Sequence, residues 1–279
     1  MPASASIRHT GAMSSNYLTT SARYLAAYDA QLRTDAEAAS AFRADRLGPL
    51  WLLTFGVGHG FITYQDLGDA DSGTLRQLVA DASTYYRDYP EIHQVEWKTR
   101  GHDYAPGLHE SLLENGFVAG EPESIMIGHA QSLAVEVTVP AGVTIRRVTA
   151  EPDVRAMTAM QAVVFGESDS YDRAAEMLRR IATDDGMELW VAEADGEIVA
   201  AGRLDPVADS DFAGIWGGAT LAPWRGRGIY RALTSARARS ARAKGKTLIH
   251  SDSTSYSRPI LERSGFIAVS TTTPYEWKR

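Results

Sequence analysis

The sequence contains no cysteine among its 279 residues. This absence excludes disulfide bonds, a thiolate nucleophile and a cysteine metal site, and it favours a cytoplasmic protein. Basic charge is also in short supply, because 28 basic residues stand against 35 acidic ones and leave a net charge of −7. Such a balance argues against general binding to nucleic acid or to an anionic membrane. We therefore expect small molecules as partners.

Long apolar stretches are absent as well. The longest apolar run, near residues 49–57, is too short to cross a bilayer as a helix and predicts a buried strand. The first 16 residues are rich in Ala and Ser but carry no continuous apolar segment after their charges, unlike a secretory signal. We expect no membrane segment, and a disordered lead-in at residues 1–16.

The remaining composition is ordinary for a folded chain, with 44% hydrophobic and 23% charged residues. The length suggests two domains or one large one. A stretch carrying Pro140 and Gly142 separates two regions that end in the same order of elements, so we place a linker at residues 131–142. The predicted domains on either side are residues 17–130 and 143–279.

Strands and helices alternate in the second region. The pattern predicts a strand at 143–148, two helices, and a hairpin whose turn contains Asp195-Gly196, a dipeptide that supplies the positive φ of a tight turn. A further strand, a long helix at 229–243, a strand at 247–251 and a short helix at 257–263 follow. Two closing strands are expected at 266–270 and 274–277. This order predicts an α/β (α+β) fold with a mixed sheet.

The most informative segment runs from Ala219 to Leu233. It leaves a strand, turns through Gly226 and Gly228, and enters an amphipathic helix. The first amides of a helix lack partners within it and, with the helix dipole, they bind anions, while glycine lets a phosphate approach the backbone closely. Three basic residues surround the turn: Arg225, Arg227 and Arg231. This charge suits a pyrophosphate.

The turn resembles the phosphate-binding motif of the GCN5-related N-acetyltransferase (GNAT) family, which reads Arg or Gln, two residues, Gly, one residue, then Gly or Ala. Tyr230 stands here at the last, usually small position. The resemblance covers residues 143–279 and implies a GNAT-like mixed sheet flanked by helices, with acetyl-CoA as co-substrate. The residues implied to bind it are Gly218, Ala219, Thr220, Arg225, Gly226, Arg227, Gly228, Ile229, Tyr230, Arg231 and Thr254.

The second family signature falls on residues 254–266 and is only partly present. The family pattern is an Asn, then a helix bearing Leu-Tyr and ending in Gly-Phe. Gly265 and Phe266 fit, but Thr254 replaces the Asn and Leu261 replaces the Tyr. That tyrosine is the family's usual general acid for the departing thiolate, so this chain uses another group or none.

Two hydroxyls near Leu261 are candidates for the general acid. Ser257 lies one helical turn before Leu261, and Tyr256 is its neighbour in sequence. Ser257 fits a helix N-cap before Pro259 equally well.

No carboxylate lies on residues 214–221, where many relatives carry a Glu as general base. A base that deprotonates the amine commonly contributes about 10²–10⁴ in rate. Our order of candidates is Asp252 and His250, which alternate onto one face of a strand, with Glu167 of the loop between the first two helices ranked between them. A lone strand histidine is otherwise most often structural.

The first region matches the second in its order of elements, so we expect a worn copy of the same fold and two tandem GNAT-like domains. Where a phosphate turn would fall it has Asp66, Asp69 and Asp71, which would repel a diphosphate. We predict that residues 17–130 do not bind CoA and instead pack beside the acceptor site. We read the three aspartates as a solvated loop, with no metal site.

The leading hypothesis is an N-acetyltransferase in which a primary amine of a small molecule attacks acetyl-CoA directly. One alternative is a peptide or protein N-acetyltransferase. Another is a CoA-binding sensor or scaffold without catalysis, which the loss of the tyrosine and of the strand carboxylate favours. The basic stretch 237–246 is the solvated face of a helix in our interpretation, with no nucleic acid partner. A homodimer stays open.

Overall fold

The computed structural model describes residues 8–39, 41–56, 58–166 and 171–279. Its helices are α1 (Arg8–Gln31), α2 (Ser72–Arg87), α3 (Leu108–Glu114), α4 (Ala130–Leu133), α5 (Glu151–Phe165), α6 (Tyr171–Thr183), α7 (Ile229–Ala243) and α8 (Arg258–Ser264). Its strands are β1 (Arg43–Leu47), β2 (Leu50–Phe55), β3 (His59–Tyr64), β4 (Gln94–Arg100), β5 (Val118–Ala119), β6 (Glu123–His129), β7 (Val143–Val148), β8 (Glu188–Ala194), β9 (Glu197–Pro206), β10 (Phe212–Thr220), β11 (Leu248–Ser253) and β12 (Ile267–Lys278).

The chain separates by compactness into two units. The first unit comprises residues up to 125 with 252–255 and 267–279, and the second comprises 126–251 and 256–266. The last strand, β12, therefore belongs to the first unit. Helix α1 begins at Arg8, inside the segment that we expected to be a lead-in, and residues 1–7 lie outside the described part of the chain. None of the described helices is long and apolar enough to cross a membrane.

The sheet of the first unit has the order β1-β2-β3-β4-β12, with β5 added to β12. Strands β3 and β4 are parallel, and the other pairs are antiparallel. Helix α2 makes the crossover between the two parallel strands and buries Leu75, Val79 and Tyr86. The core also contains Trp97 of β4, which is fully buried.

The closing strand is one element, where the sequence predicted two. Pro274, which suggested a break, lies inside β12 opposite Lys98 of β4. Its carbonyl oxygen accepts a hydrogen bond from the Gly120 amide at 2.8 Å, so the strand keeps a partner where proline has no N–H to give.

The second unit has the strand order β11-β10-β9-β8-β7. Strands β10 and β11 are parallel and the remaining pairs are antiparallel, so the sheet is mixed as predicted. Helices α5 and α6 pack on one face, where Ala201 and Ala219 lie in the core. Helix α7 packs on the other face, where Ile229 and Leu233 meet Ala200. This arrangement confirms the α+β class with helices on both sides of the sheet.

Close packing in the first unit depends on a glycine of β3. A Cβ atom at Gly60 would lie 2.5 Å from Cε1 of Tyr86, whose hydroxyl donates to the Leu53 carbonyl oxygen at 2.8 Å. We expect Gly60→Ala to lower the free energy of unfolding by about 1–3 kcal/mol, because the buried ring must move. Urea denaturation followed by tryptophan fluorescence measures this.

Gly73→Ala is the matched control, since its Cβ atom would have Asp71 Oδ1 as nearest neighbour at an ordinary 3.5 Å. It lies in the first turn of α2, where alanine is favoured over glycine by up to about 1 kcal/mol. Equal unfolding midpoints for Gly60→Ala and the parent would contradict the packing argument.

Candidate active site

Strands β10 and β11 pair over only three residues and then part. Their register runs from Phe212 opposite Leu248 to Gly214 opposite His250, although β10 continues to Thr220. A bulge follows between Trp216 and Ala219, where the β9 register shifts. The parted strands leave a backbone edge of β10 that can pair with an extended ligand.

The bulge contains Gly217, whose φ is +61°. Residues with a Cβ atom rarely adopt this backbone conformation, so glycine avoids the strain that another residue would have here. Gln161 of α5 donates from Nε2 to the Gly217 carbonyl oxygen at 2.6 Å and fixes the bulge. Gln161 carries no local sequence signal, because its contact joins residues 56 positions apart.

The glycine turn follows β10 directly. Gly226 and Gly228 have φ values of +74° and +80°, and Gly228 is the N-cap residue of α7 without a side chain to cap it. The first helical bond runs from the Ala232 amide to the Gly228 carbonyl oxygen at 3.0 Å. The three amides before Ala232 therefore have no acceptor within the helix.

The charge around this turn is positive and exposed. Arg225, Arg227 and Arg231 are all exposed, and none has a carboxylate partner within the described residues. Arg225 Nε donates to the Thr220 carbonyl oxygen at 3.0 Å, and Arg227 lies over the Trp224 ring at 5.0 Å. A Cβ atom at Gly226 would meet nothing within 4 Å, so the backbone there is open to a ligand. The turn can hold a diphosphate by amides and cations together.

Tyr230 lies against the sheet below the turn. A Cβ atom at Gly218 would be 2.7 Å from Tyr230 Cε2, so the missing side chain of Gly218 gives the ring its place. Arg237 lies two turns further along α7. A Cβ atom at Gly202 would be 2.5 Å from Arg237 Nη1, so Gly202 leaves room for this side chain in the same way. Arg237 is 1% exposed, and burial lowers its pKa. Both glycines lie on the face of the sheet that α7 covers.

His250 and Trp216 form an aromatic pair at the point where the strands part. Their rings are edge to face at 5.2 Å, and His250 meets Phe212 similarly at 5.8 Å. A Cβ atom at Gly214 would lie 2.3 Å from Trp216 Nε1, so this glycine also makes room for a ring.

This pair lies on the α5–α6 face, opposite α7. Trp216 pairs with Arg203 across β9, and paired residues share a face of the sheet. Arg203 donates to the Met177 sulfur of α6 at 3.8 Å, which identifies that face.

Asp252 is held by a lysine that the sequence analysis missed. Lys98 Nζ of the first unit donates to Asp252 Oδ2 at 2.6 Å, and their side chains are 14% and 9% exposed. Burial lowers the pKa of Lys98, but the attraction of Asp252 and Tyr28 outweighs it, so the pKa is raised overall. Asp252 is thus one half of a buried ion pair, and its predicted role as a base stays a prediction.

The other predicted residues have varied surroundings. Ser257 is the N-cap residue of α8 but makes no capping bond through its side chain. Tyr256 is 68% exposed, whereas Leu261 is buried. Thr254 lies in the first unit by compactness. Glu167 lies outside the described residues.

The equivalent turn of the first unit is built with the opposite charge. Asp71 is the N-cap residue of α2 and accepts from the Thr74 amide at 2.8 Å, and Asp66 accepts from the Gly68 amide at 2.6 Å. The hydrogen bond from the Thr74 amide lowers the Asp71 pKa. The start of α2 already carries its own carboxylate, so it offers little to a phosphate.

The parted strands and the cationic turn are the features that the resemblance to the GNAT family implied. Residues 153–266 match the acetyltransferase (GNAT) family. No curated protein matches the sequence significantly.

Solved structures share the fold over nearly the whole chain. A GCN5-related N-acetyltransferase from Kribbella flavida is 18% identical, with a TM-score of 0.67 and coverage of 92% of this chain and 95% of that one. A tandem GNAT protein from the clavulanic acid biosynthesis pathway is 15% identical, with a TM-score of 0.60 and coverage of 86% and 84%. The first half of the chain is therefore GNAT-like in fold as well, and the tandem arrangement is confirmed.

The contribution of the buried Lys98–Asp252 ion pair to the stability of the fold can be tested by substitution. We expect Lys98→Met to lower the free energy of unfolding by about 3–5 kcal/mol, because a buried carboxylate loses its cation. The double variant Lys98→Met, Asp252→Leu should recover most of that loss, since both charges are then gone. Urea denaturation of the single and double variants measures the difference.

Lys278→Met is the control, because Lys278 pairs with Glu276 at the surface and the two side chains are 64% and 41% exposed. Such a pair contributes about 0–1 kcal/mol. Equal losses for Lys98→Met and Lys278→Met would show that the buried pair is not needed for stability.

Proposed function

We propose that the protein transfers the acetyl group of acetyl-CoA to a primary amine of a small molecule. The observation that carries this proposal is the parting of β10 from β11 immediately before an uncapped, cationic helix start. The open edge of β10 suits an extended amide-containing chain, and the cationic helix start suits a diphosphate. Their succession between Gly214 and Gly228 supports a ligand that contains both groups.

The residues fit acetyl-CoA part by part. Backbone groups of Gly218, Ala219 and Thr220 lie along the edge of β10 that β11 does not cover, where the pantetheine amides would pair. The turn residues with positive φ and the exposed arginines would hold the diphosphate. The thioester, when bound, supplies the acetyl carbon that the amine attacks while the carbon–sulfur bond breaks.

His250 is the base that the surroundings favour. An amine must lose a proton to attack, and an imidazole accepts protons near neutral pH. His250 lies at the last paired position of β10 and β11, next to Trp216, and so borders the opening itself. Asp252 is engaged by Lys98, which makes the imidazole of His250 in the second unit the simpler assignment.

Release of the thiolate needs little help from an acid. Leu261 is buried and cannot donate, while Tyr256 is exposed and Ser257 stands at the start of α8. A thiol with a pKa of about 8.5 is a fair leaving group at neutral pH. We keep Ser257 and Tyr256 as candidate proton donors.

A small acceptor is supported by the aromatic lining. Trp216 is half-buried and lies beside His250 where the strands part, on the α5–α6 face, and its ring suits the carbon skeleton of a compact amine. One structure with this fold is named for the clavulanic acid biosynthesis pathway, which makes a small molecule.

The cofactor site can be tested by charge alone. We expect Gly228→Asp to weaken acetyl-CoA binding by at least about tenfold, roughly 1.4 kcal/mol, because it sets a carboxylate against the diphosphate. Gly228→Asn has the same shape and tolerates the same φ of +80°, so it should bind within about threefold of the parent. Isothermal titration calorimetry with acetyl-CoA measures all three proteins.

Equal affinity of the Asp and Asn variants would contradict a diphosphate at this turn. Absence of binding to the parent would overturn the acetyltransferase proposal and leave the turn a structural feature. Binding without acetyl transfer to any amine of a broad panel would favour the sensor or scaffold alternative.

The base can be tested by removing the imidazole. We expect His250→Gln to lower kcat by about 10²–10⁴, which is the usual contribution of a positioned general base. CoA release from acetyl-CoA, followed with a panel of amino sugars, diamines and amino acid esters, measures this loss. His59→Gln is the control, because His59 is an exposed imidazole that the mechanism does not use. A kcat in His250→Gln equal to that of the parent would remove His250 from the mechanism.

A further inference from the structure

A positive charge is buried inside the second unit, on the α7 face of the sheet. Arg237 is 1% exposed, and among the described residues it has no carboxylate partner. Buried charges in proteins are usually paired, because the desolvation of an unpaired charge is costly. Neither the proposed cofactor contacts nor the proposed base uses Arg237. The second unit therefore retains a buried cation for which its described residues provide no counter-charge.

The guanidinium group of Arg237 is held by neutral acceptors. Nε donates to the Leu233 carbonyl oxygen at 3.2 Å, and Nη1 donates to the Arg203 carbonyl oxygen at 3.2 Å. Nη2 donates to Thr234 Oγ1 at 3.4 Å. Burial lowers the pKa of Arg237, and the attraction of the nearby Tyr230 offsets this only in part. None of these contacts removes the positive charge, so an anion close to the guanidinium would be stabilised.

The guanidinium lies behind the bulge of β10. A Cβ atom at Gly202 would be 2.5 Å from Arg237 Nη1 and 2.8 Å from its Cζ, so the group packs directly on the backbone of β9. Gly202 stands opposite the bulge, because the residues on either side of it pair with Trp216 and Ala219 of β10. The two bulge residues are also glycines. No side chain of either strand therefore separates the charge from the open edge of β10.

Tyr230 lies beside the same glycines. A Cβ atom at Gly218 would be 3.2 Å from the Tyr230 hydroxyl oxygen, so the hydroxyl lies over the backbone of the bulge. The residue is half-buried, and its hydroxyl donates to no other residue in the described part of the chain. A hydroxyl with an available hydrogen and a buried cation therefore meet at one point of β10.

The proposed direction of acetyl-CoA along β10 brings its sulfur to this point. With the diphosphate at the glycine turn and the pantetheine amides at residues 218–220, the thioester follows between this stretch and His250. His250 lies on the α5–α6 face of the sheet, whereas Tyr230 and Arg237 lie on the α7 face. The proposed base and the positive charge would then flank the thioester from opposite faces of the sheet.

We propose that Tyr230 and Arg237 stabilise the negative charge that develops on the CoA sulfur as the acetyl group leaves, an inference that rests on the proposed function. Tyr230 donates a hydrogen bond to the sulfur, and Arg237 acts behind it as a positioning charge. The amine nitrogen bonds to the acetyl carbon and gives its proton to His250, while the electron pair of the carbon–sulfur bond passes to the sulfur. Tyr230 keeps its own proton, so its role is separate from that of the candidate proton donors Ser257 and Tyr256.

The expected size of the effect follows from distance. Adjacent strands are about 4.8 Å apart, so a ligand paired with β10 lies roughly 10 Å from the backbone of β9 on which Arg237 rests. At that distance, and at an effective dielectric constant of about 20, a unit charge favours an anion by roughly tenfold. A hydrogen bond to a charged group adds at least a similar factor. The pair should therefore lower the pKa of the bound CoA thiol by at least about one unit from its usual value of about 8.5.

The test compares the binding of CoA with that of desulfo-CoA, in which a hydrogen replaces the thiol. Because a complex with a lowered thiol pKa favours the thiolate, the affinity for CoA should rise relative to that for desulfo-CoA by at least about fivefold from about pH 6.5 to about pH 9. Isothermal titration calorimetry with the full-length chain measures both affinities. The two ligands carry the same phosphates, so the arginines of the turn affect both alike. An imidazole is neutral at the upper pH, so His250 does not cause the rise.

Variants assign the effect to the two residues. Arg237→Met removes the charge and keeps a side chain of similar length, and Tyr230→Phe removes only the hydroxyl. Each should bind desulfo-CoA within about threefold of the parent, which shows that the site is folded, and should reduce the rise with pH by about threefold or more. Arg242→Met removes a charge from an exposed position of the same helix and should behave like the parent.

The outcomes separate this inference from the proposed function. Absence of binding of both ligands to the parent overturns the proposed function and this inference with it. Binding of both ligands with an affinity ratio that does not change with pH overturns the inference alone and leaves the cofactor site in place. An unchanged rise in Tyr230→Phe, which keeps the ring against Gly218, overturns it even where Arg237→Met does not fold. An equal reduction in Arg242→Met shows that positive charge in general is responsible, and overturns the assignment to the buried pair.

Discussion

The second unit depends on the place where β10 stops pairing with β11. A parallel pair that continued to the end of both strands would close the sheet and leave no edge for a ligand. The bulge at Gly217 prevents this, because its positive φ turns the strand, and Gln161 holds its carbonyl oxygen. The same bulge also sets the position of the glycine turn that follows. A single backbone irregularity therefore provides both the open edge and the site at the helix start.

Glycines on β9 and β10 leave room for the large side chains that pack against the sheet. Gly202 and Gly218 make space for Arg237 and Tyr230 on the α7 face, and Gly214 makes space for Trp216 on the α5–α6 face. Tyr230 is large where the family motif is small, and the absence of a side chain at Gly218 leaves room for its ring.

Local sequence was sufficient for the mixed sheet, the hairpin at Asp195-Gly196 and the glycine turn, since each has a signal within a few residues. It was insufficient for the pairs that join distant parts of the chain. Lys98 meets Asp252 across 154 positions, and Arg33 meets Asp103 across 70. A charged residue looks solvated in a sequence unless its partner is known. The continuous β12 was missed for a related reason, because proline predicts a break unless it is known that a distant residue, here Gly120, donates its amide to the proline carbonyl oxygen.

The two units carry opposite charges at the corresponding helix starts. In both, a helix begins soon after a strand whose neighbour runs parallel to it, so both helix starts could bind an anion. Gly228 leaves the start of α7 uncapped among arginines, whereas Asp71 caps the start of α2 with its own carboxylate. The cap stabilises α2 by the same interaction that a phosphate would make, and it is present at all times. The first unit is therefore not simply a copy that has lost residues. Its helix start is satisfied internally by the Asp71 carboxylate, which accepts from the Thr74 amide.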